Sequence, residues 1–251
     1  MKQTNGRFAR ANQSVKLRLI GASYGEQKVG KTSFWLSAPG PIYIQSFDYG
    51  LEGVVQKFQH EKEIYVREYD WAPVGDELTQ EAAIELRDAF VADFDVALAQ
   101  GRTIVWDKET EVWELFRYAE FGPNDVGVAT SAPRNYPALN QRYRYHIRRA
   151  YDLGVNFGLI QGVKAKWISK PQPGTGILQP HNTGELARTG FNEIGALVQI
   201  DLWHKREQGQ FLIDVGGCRQ NAELQDQQFT NLTFPEMACL VFPDSRLEDW
   251  E

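Results

Sequence analysis

The chain has few of the residues that build disulfide frameworks or metal clusters. Its 251 residues include only two cysteines, Cys218 and Cys239, and neither stands in a paired metal-ligand spacing. The four histidines are scattered, at His60, His146, His181 and His204. We interpret each histidine as a core or surface residue. The sequence therefore argues against a disulfide-stapled domain and against a His/Cys metal centre.

Long apolar runs and a strong positive charge are also lacking. No run approaches the length of a membrane span, and the polar N-terminus MKQTNGRFARANQS has no signal-peptide core. The net charge of −6 argues against a surface coated with basic residues, although it allows a local basic groove. We therefore expect a cytoplasmic protein with no membrane partner. It would comprise a flexible arm at 1–14 and one domain at 15–251.

The residues that are present alternate between strand and helix patterns. Short apolar runs typical of strands cover 15–21, 41–47, 103–107 and 155–161, and apolar residues at helical spacing cover 31–38, 79–100, 109–121 and 138–154. Gly and Pro are frequent at 121–137 and 162–185, which predicts two long loops. Residues 197–217 predict a hairpin, whereas the tail after Gln220 shows little regular pattern. The order predicts an α/β fold with a mainly parallel sheet, helices on both faces and a C-terminal β-hairpin.

A phosphate-binding motif follows the first strand, which is expected to end in a turn at Gly21. The motif fits G-x4-G-K-[ST] at every fixed position. Its candidate nucleotide-binding residues are Gly25, Glu26, Gln27, Lys28, Val29, Gly30, Lys31, Thr32 and Ser33. The glycines let successive N–H groups face the phosphates, towards which the next helix directs its positive end. Lys31 is expected to reach the β- and γ-phosphates, and Thr32 to ligate magnesium. The predicted cofactors are ATP, in preference to GTP, and Mg²⁺.

Three polar residues end other predicted strands. Asp107 closes TIVWD and is predicted to hold magnesium through water, with an ordinary helix N-cap as the alternative. Asp48 is a candidate for orienting the attacking water; Glu52 is the alternative, and a simple turn cap would also explain Asp48. Gln161 is a candidate sensor of the γ-phosphate. Lys31, Asp48 and Gln161 are therefore candidate catalytic residues.

Taken together, these motifs give the chain a family resemblance. The order of elements resembles the RecA-like ATPase core and, more closely, the phage RecA-like single-strand-annealing ATPases of the Sak family, over about residues 15–235. The likeness rests on GEQKVGKTSF (25–34), the run from Asp48 to Gly53, TIVWDKETEVWE (103–114), VKAKW (163–167) and Cys218-Arg219-Gln220-Asn221. Lys108 departs from the small or hydroxyl residue usual after the magnesium acid. The net negative charge also departs from the basic character of the family.

The resemblance implies a single-stranded DNA site in the loops that flank the Gln161 strand. The candidate DNA-binding residues are Lys164, Lys166, Trp167, Lys170 and Arg142. Lysines would meet phosphates, and the tryptophan would stack on a base. The helix of Arg142 is instead a solvated or subunit-facing surface in the alternative interpretation.

The resemblance also implies a homo-oligomer, either a ring or a filament. Arg219, after the hairpin, would act catalytically in trans on a neighbour's γ-phosphate, although a surface arginine is the alternative. Phe8 and Ala11 in FARA match the F-x-R-A oligomerisation pattern of archaeal recombinases, although a passive arm fits equally well.

The function implied is that of an ATP-dependent recombination protein that binds single-stranded DNA, in phage or bacterial DNA annealing, strand exchange, replication or repair. A single-strand-binding protein is a further partner that the resemblance implies. Two rivals are a P-loop kinase of a nucleotide or other small molecule, with an Arg-rich lid, and a nucleotide-gated protein scaffold. Stimulation of hydrolysis by single-stranded DNA separates the first function from both rivals.

Overall fold

The computed structural model describes residues 17–71, 79–122, 136–172 and 177–251. Its strands are β1 (Ile20–Tyr24), β2 (Ile42–Ser46), β3 (Ile64–Glu68), β4 (Thr103–Asp107), β5 (Asn156–Gln161), β6 (Val163–Pro171), β7 (Leu178–Arg188), β8 (Ile200–Glu207), β9 (Gln210–Cys218) and β10 (Gln228–Thr230). Its α-helices are α1 (Lys31–Leu36), α2 (Gln80–Gln100), α3 (Glu109–Phe121), α4 (Tyr136–Leu153), α5 (Ile194–Leu197) and α6 (Phe234–Val241).

Eight of these strands form one sheet in the order β10-β9-β8-β1-β5-β4-β2-β3. All neighbours from β3 to β8 are parallel, and β8, β9 and β10 pair antiparallel at the other edge. The β8–β9 pair is the predicted hairpin, with Gln208 and Gly209 both at positive φ in its turn. The predicted fold class, a mainly parallel α/β sheet with a C-terminal hairpin, is confirmed.

Alternating side chains place a separate apolar core on each face of the sheet. In β4, Ile104 and Trp106 pack with α2, α3 and α4, whereas Val105 packs with α1 and α6 on the opposite face. The second core is mainly aliphatic but includes packed rings, such as those of Trp35 and Phe234, whose centroids lie 5.4 Å apart. Because strands buried on both faces are apolar throughout, TIVWD could be recognised from its sequence alone.

The first strand begins later than predicted. The apolar run 15–21 predicts a strand ending at Gly21, but β1 starts at Ile20 and continues through that glycine. A Cβ there would lie 2.9 Å from Ile200 Cγ2 and 3.3 Å from a Trp35 ring atom. Gly21 therefore serves close packing in the sheet, and the predicted turn at this residue is wrong.

The predicted loop 162–185 is also wrong, because most of it is a two-stranded antiparallel sheet of β6 and β7. We call this pair the ribbon. Most of its side chains are exposed, so it lacks the alternation of apolar and polar residues that marks a strand packed on a core. The frequent glycines and prolines of 162–185 were therefore the strongest signal in this segment, and they indicated a loop.

The C-terminal tail has more regular structure than its sequence predicted. Thr233 and Glu236 form a capping box at the start of α6, and Trp250 is buried against Phe234. The S/T-x-x-E spacing is a helix-start signal that the sequence analysis overlooked.

The arm 1–14 with Phe8 and Ala11, and most of the predicted loop 121–137, lie outside the described residues. Among the helices of the described residues, none has the length and apolar character needed to cross a bilayer.

Candidate functional site

The phosphate-binding motif forms a tight turn between β1 and α1. Gly30 has a φ of 89°, and a Cβ on it would lie 2.9 Å from the Phe211 ring. A Cβ on Gly25 would lie 2.3 Å from the His204 carbonyl oxygen. Both glycines of the motif are therefore required by backbone conformation or close packing. Among the described residues, no side chain caps the start of α1, which leaves the positive end of this helix available to phosphate oxygens.

Lys31 lies in this turn with its ammonium group turned back on the backbone. Its Nζ donates to the carbonyl oxygen of Gly25 at 2.8 Å and to that of Glu26. Burial lowers the pKa of Lys31, and the negative charges of Asp107 and Asp48 partly offset this effect. A cation in this position, held by carbonyls near the glycine turn, suits a polyanionic ligand.

The two predicted magnesium ligands meet at the carboxyl end of the sheet. Thr32 Oγ1 donates to Asp107 Oδ2 at 2.8 Å, although the residues are 75 positions apart in the chain. Burial raises the pKa of Asp107, and the Thr32 hydrogen bond opposes this. Hydroxyl and carboxylate oxygens are ligands that Mg²⁺ accepts, so the pair fits the ion. In the described ranges, no cluster of three or more His, Cys, Asp or Glu side chains offers another metal site.

Asp48 follows β2, the strand next to β4. Its Oδ1 accepts the Gly50 N–H at 3.2 Å, and its Oδ2 lies 3.6 Å from Lys108 Nζ. The carboxylate therefore caps a turn while also facing the Asp107 strand end. Glu52, the alternative candidate, is exposed.

Gln161 ends β5, which stands between the P-loop strand and the strand of Asp107. Its Nε2 donates at 2.7 Å to Glu109, a fully buried carboxylate that sequence reasoning missed. Burial raises the pKa of Glu109 to about 7, and hydrogen bonds from Tyr143 and Gln161 oppose the rise. The register pairs Gln161 with Tyr24 at the end of β1. The glutamine therefore lies beside the start of the phosphate-binding motif, residues 25–33, which we call the cradle.

The ribbon begins two residues after Gln161. Trp167 is 59% exposed, and Lys164 and Lys170 are also exposed on β6. Lys166 forms an exposed ion pair with Glu185 at 2.7 Å. The structure thus brings the four candidate DNA-binding residues of this segment onto one exposed strand.

The second strand of the ribbon, β7, is anchored near the cradle at its end. We call β6 and β7, with the residues that join them to the main sheet, the two legs of the ribbon. Arg188 makes two hydrogen bonds of 3.0 Å to Asp201, and its guanidinium lies 4.4 Å from the centre of the Tyr24 ring. Leu186, next to this anchor, lines a cavity of about 480 Å³ together with Trp203 and cradle residues 26–29. The ribbon and the nucleotide cradle are therefore neighbours in the fold.

Two predicted residues are not at the cradle of their own chain. Arg219 follows β9, and its guanidinium donates to the Ala196 carbonyl oxygen. Its N–H donates to the carbonyl oxygen of Gln199, just before β8, at the end of the parallel strands opposite the P-loop. On α4, Arg142 pairs with Glu120. The roles of Arg219 in trans and of Arg142 on DNA remain predictions.

The fold and the cradle together define the class of site: a phosphate-binding P-loop between β1 and α1 of a mainly parallel α/β sheet. The chain is similar in structure to the RadB recombinase, at 10% identity and a TM-score of 0.49, covering 84% of this chain and 86% of that one. It is similar to a KaiC-like protein of the hyperthermophilic archaeon Pyrococcus horikoshii OT3, at 10% identity and a TM-score of 0.42, covering 84% of each chain.

A third similar structure is an ATPase from the type III secretion system of pathogenic bacteria. The identity is 12% and the TM-score 0.44, and the match covers 76% of this chain and 53% of that chain. No protein-family model matches the sequence, and no curated protein matches it.

Proposed function

We propose that this chain is an ATP-hydrolysing, single-stranded-DNA-binding recombination protein, similar to the phage Sak-type annealing ATPases. One observation carries the proposal: the strand that ends in Gln161 at the nucleotide site continues, after Gly162, into the exposed ribbon of lysines and Trp167. A change at the γ-phosphate would therefore have a short covalent path to the surface proposed to bind DNA.

The nucleotide site supports hydrolysis of ATP with Mg²⁺. Lys31 would bind the phosphates, and Thr32 and Asp107 would hold the ion, which neutralises phosphate charge when it is bound. Asp48, beside the Asp107 strand end, would orient the attacking water. Lys108, at 3.6 Å from Asp48, would hold that carboxylate in place.

The ribbon supports binding of a single strand better than of a duplex. Trp167 presents most of its surface to solvent, and every base has a face that can stack on an indole ring. Lys164 and Lys170 flank it on the same strand and would contact phosphates. Local charge of this kind is compatible with an overall charge of −6, because salt limits the reach of distant acids to about 10 Å.

The kinase alternative requires an arginine-rich lid over the phosphates. Three of the four arginines of α4 that would supply it are engaged within the chain: Arg142 with Glu120, Arg144 with Glu193 and Arg149 with Asp95. These contacts favour a helix fixed against α2, α3 and the α5 region. For the same reason, a DNA phosphate would have to displace Glu120 to reach Arg142.

We further propose that the protein acts as a homo-oligomer. The arm residues Phe8 and Ala11 would dock on a neighbour, and Arg219 would reach the neighbour's nucleotide across the interface. Because Arg219 lies at the end of the parallel strands opposite its own cradle, only a contact in trans would give it a catalytic role. A single-strand-binding protein is the further partner proposed.

Titration of a labelled oligonucleotide, followed by fluorescence anisotropy with and without ATP and Mg²⁺, tests the DNA-binding proposal. We expect binding of single-stranded DNA that tightens with ATP and Mg²⁺ and weakens steeply with salt. Equal binding of duplex and single strand, or none at low salt, would contradict it.

A further inference from the structure

A buried carboxylate lies directly behind the proposed γ-phosphate sensor. Glu109 Oε2 accepts the Gln161 amide at 2.7 Å, and Oε1 accepts the Tyr143 hydroxyl at 2.6 Å and the Phe191 N–H at 3.4 Å. A carboxylate is costly to bury unless donors surround it, and here the core supplies three. An apolar residue would fill the same space without this requirement, so the carboxylate indicates a specific role.

The next residue of α3 joins both legs of the ribbon. Thr110 Oγ1 accepts the Gly162 N–H at 3.2 Å and lies 2.9 Å from the Thr189 hydroxyl oxygen. The Thr189 N–H in turn donates to the Gly162 carbonyl oxygen at 3.0 Å. The residues immediately before β6 and after β7 are thus held together at the start of α3.

The second leg also packs tightly on the Glu109–Gln161 hydrogen bond. A Cβ added to Gly190 would lie 2.2 Å from Glu109 Oε2 and 2.9 Å from Gln161 Nε2, and the residue has a φ of 87°. No space therefore separates the glutamine, the glutamate and the backbone after β7. Close packing of this kind transmits a displacement instead of absorbing it.

We propose that Glu109 is a positioning residue that links Gln161 to both legs of the ribbon. This inference rests on the proposed function in taking Gln161 as the nucleotide sensor. With Nε2 held by Glu109, the Gln161 Oε1 atom is buried and has no hydrogen-bond partner among the described residues. Any movement of Gln161 towards a nucleotide must pull on Glu109, on the start of α3 and on Gly190.

Amide hydrogen exchange of the ribbon legs, at residues 162–166 and 186–190, tests this inference without DNA. Exchange is measured on wild-type protein with Mg²⁺ and ADP, and again with Mg²⁺ and a non-hydrolysable ATP analogue. We expect the exchange rates of these amides in wild type to differ about tenfold between the two nucleotides. In Glu109→Ala the rates should differ less than about twofold. Glu109→Gln keeps one acceptor oxygen and should give an intermediate difference. Glu114→Ala removes a partly buried ion pair with Arg117 on the same helix, away from Gln161, and should behave as wild type.

Thr110→Val is the second variant, because it removes the leg contacts without emptying a buried carboxylate site. Its affinity for each nucleotide should stay within about threefold of the wild-type affinity, and most of the difference in exchange rate between the two nucleotides should be lost. A wild-type difference that persists in Glu109→Ala and Thr110→Val would overturn the inference, as would a wild type with no difference. Failure of DNA to bind would overturn the proposed function alone, since this exchange experiment contains no DNA.

Discussion

At the residue scale, the proposed nucleotide site depends most on Lys31. Its ammonium group is held by two backbone carbonyls of the motif, so it can turn to phosphate oxygens without disturbing the core. Thr32 and Asp107 already touch through their oxygens, although their segments are far apart in the chain. Charge and oxygen ligands for a metal nucleotide are therefore assembled by the fold itself.

Lys31→Ala should lower the rate of ATP hydrolysis by at least about 100-fold, because it removes a cation placed at the transferred phosphate. Its thermal unfolding should match that of wild type. Lys57→Ala, an exposed lysine away from the motif, is the matched control. Steady-state phosphate release measures the effect, and a Lys31→Ala rate near wild type would refute the P-loop assignment.

Asp48→Asn should bind nucleotide normally and hydrolyse it slowly, by a factor of about 100 or more, since it removes the proposed base while leaving the cradle. An asparagine can still accept the Gly50 N–H, so the turn should persist. Glu52→Gln serves as the comparison. Full activity in the Asp48 variant with loss in the Glu52 variant would move the role to Glu52.

At the element scale, the ribbon stands apart from the main sheet and presents most of its side chains to solvent. A ribbon of this kind is stabilised mainly by its own ladder, so substitutions on it should leave the eight-stranded sheet intact. This independence makes the ribbon suitable for variants that change binding without changing the fold.

Trp167→Ala should weaken single-stranded DNA binding by about 1–3 kcal/mol through loss of a base stack. Lys164→Ala should instead reduce the salt dependence of binding, because it removes one phosphate contact. The exposed Ile177, immediately before β7, provides a control, as Ile177→Ala removes apolar surface with no aromatic ring. Oligonucleotide titrations at several salt concentrations measure both effects, and unchanged binding in both variants would exclude the ribbon as the DNA site.

The elements with a buried face could be predicted from sequence, and the others could not. β4 and α3 lie where TIVWD and ETEVWELFRYAEF indicated, because their apolar residues match the packing of two cores. The ribbon was missed since it buries almost nothing. Glu109 was missed because an acid at the start of a helix ordinarily faces solvent, and its burial depends on Tyr143 and Phe191 from distant elements.

At the scale of the whole molecule, stability should depend on pH through a partly buried histidine of α4, His146, which packs against Phe94 and Phe116. Burial lowers the pKa of His146 to about 4, helped by the charge of Arg149. In the unfolded chain its pKa is about 6.5. The unfolded state therefore binds the proton first as pH falls, so stability is lost between pH 6.5 and 4.

Denaturant unfolding at pH 8 and pH 5 checks this expectation. His146 should account for about 2 kcal/mol of the stability lost between these two values. His146→Leu removes the titrating group. Between pH 8 and pH 5, the unfolding free energy of this variant should therefore fall by about 2 kcal/mol less than that of wild type. An equal loss in both proteins would show that the histidine is not buried in its neutral form.

The central claim is that nucleotide hydrolysis at the P-loop is coupled to single-stranded DNA on the ribbon. The most direct measurement is the ATP hydrolysis rate of wild type with Mg²⁺, in the absence and presence of saturating single-stranded oligonucleotide, with Lys31→Ala as the reference. We predict a rate that rises several-fold with DNA in wild type and stays at background in the variant. Hydrolysis that depends on Lys31 but does not respond to DNA would contradict the coupling and favour the kinase or scaffold alternatives.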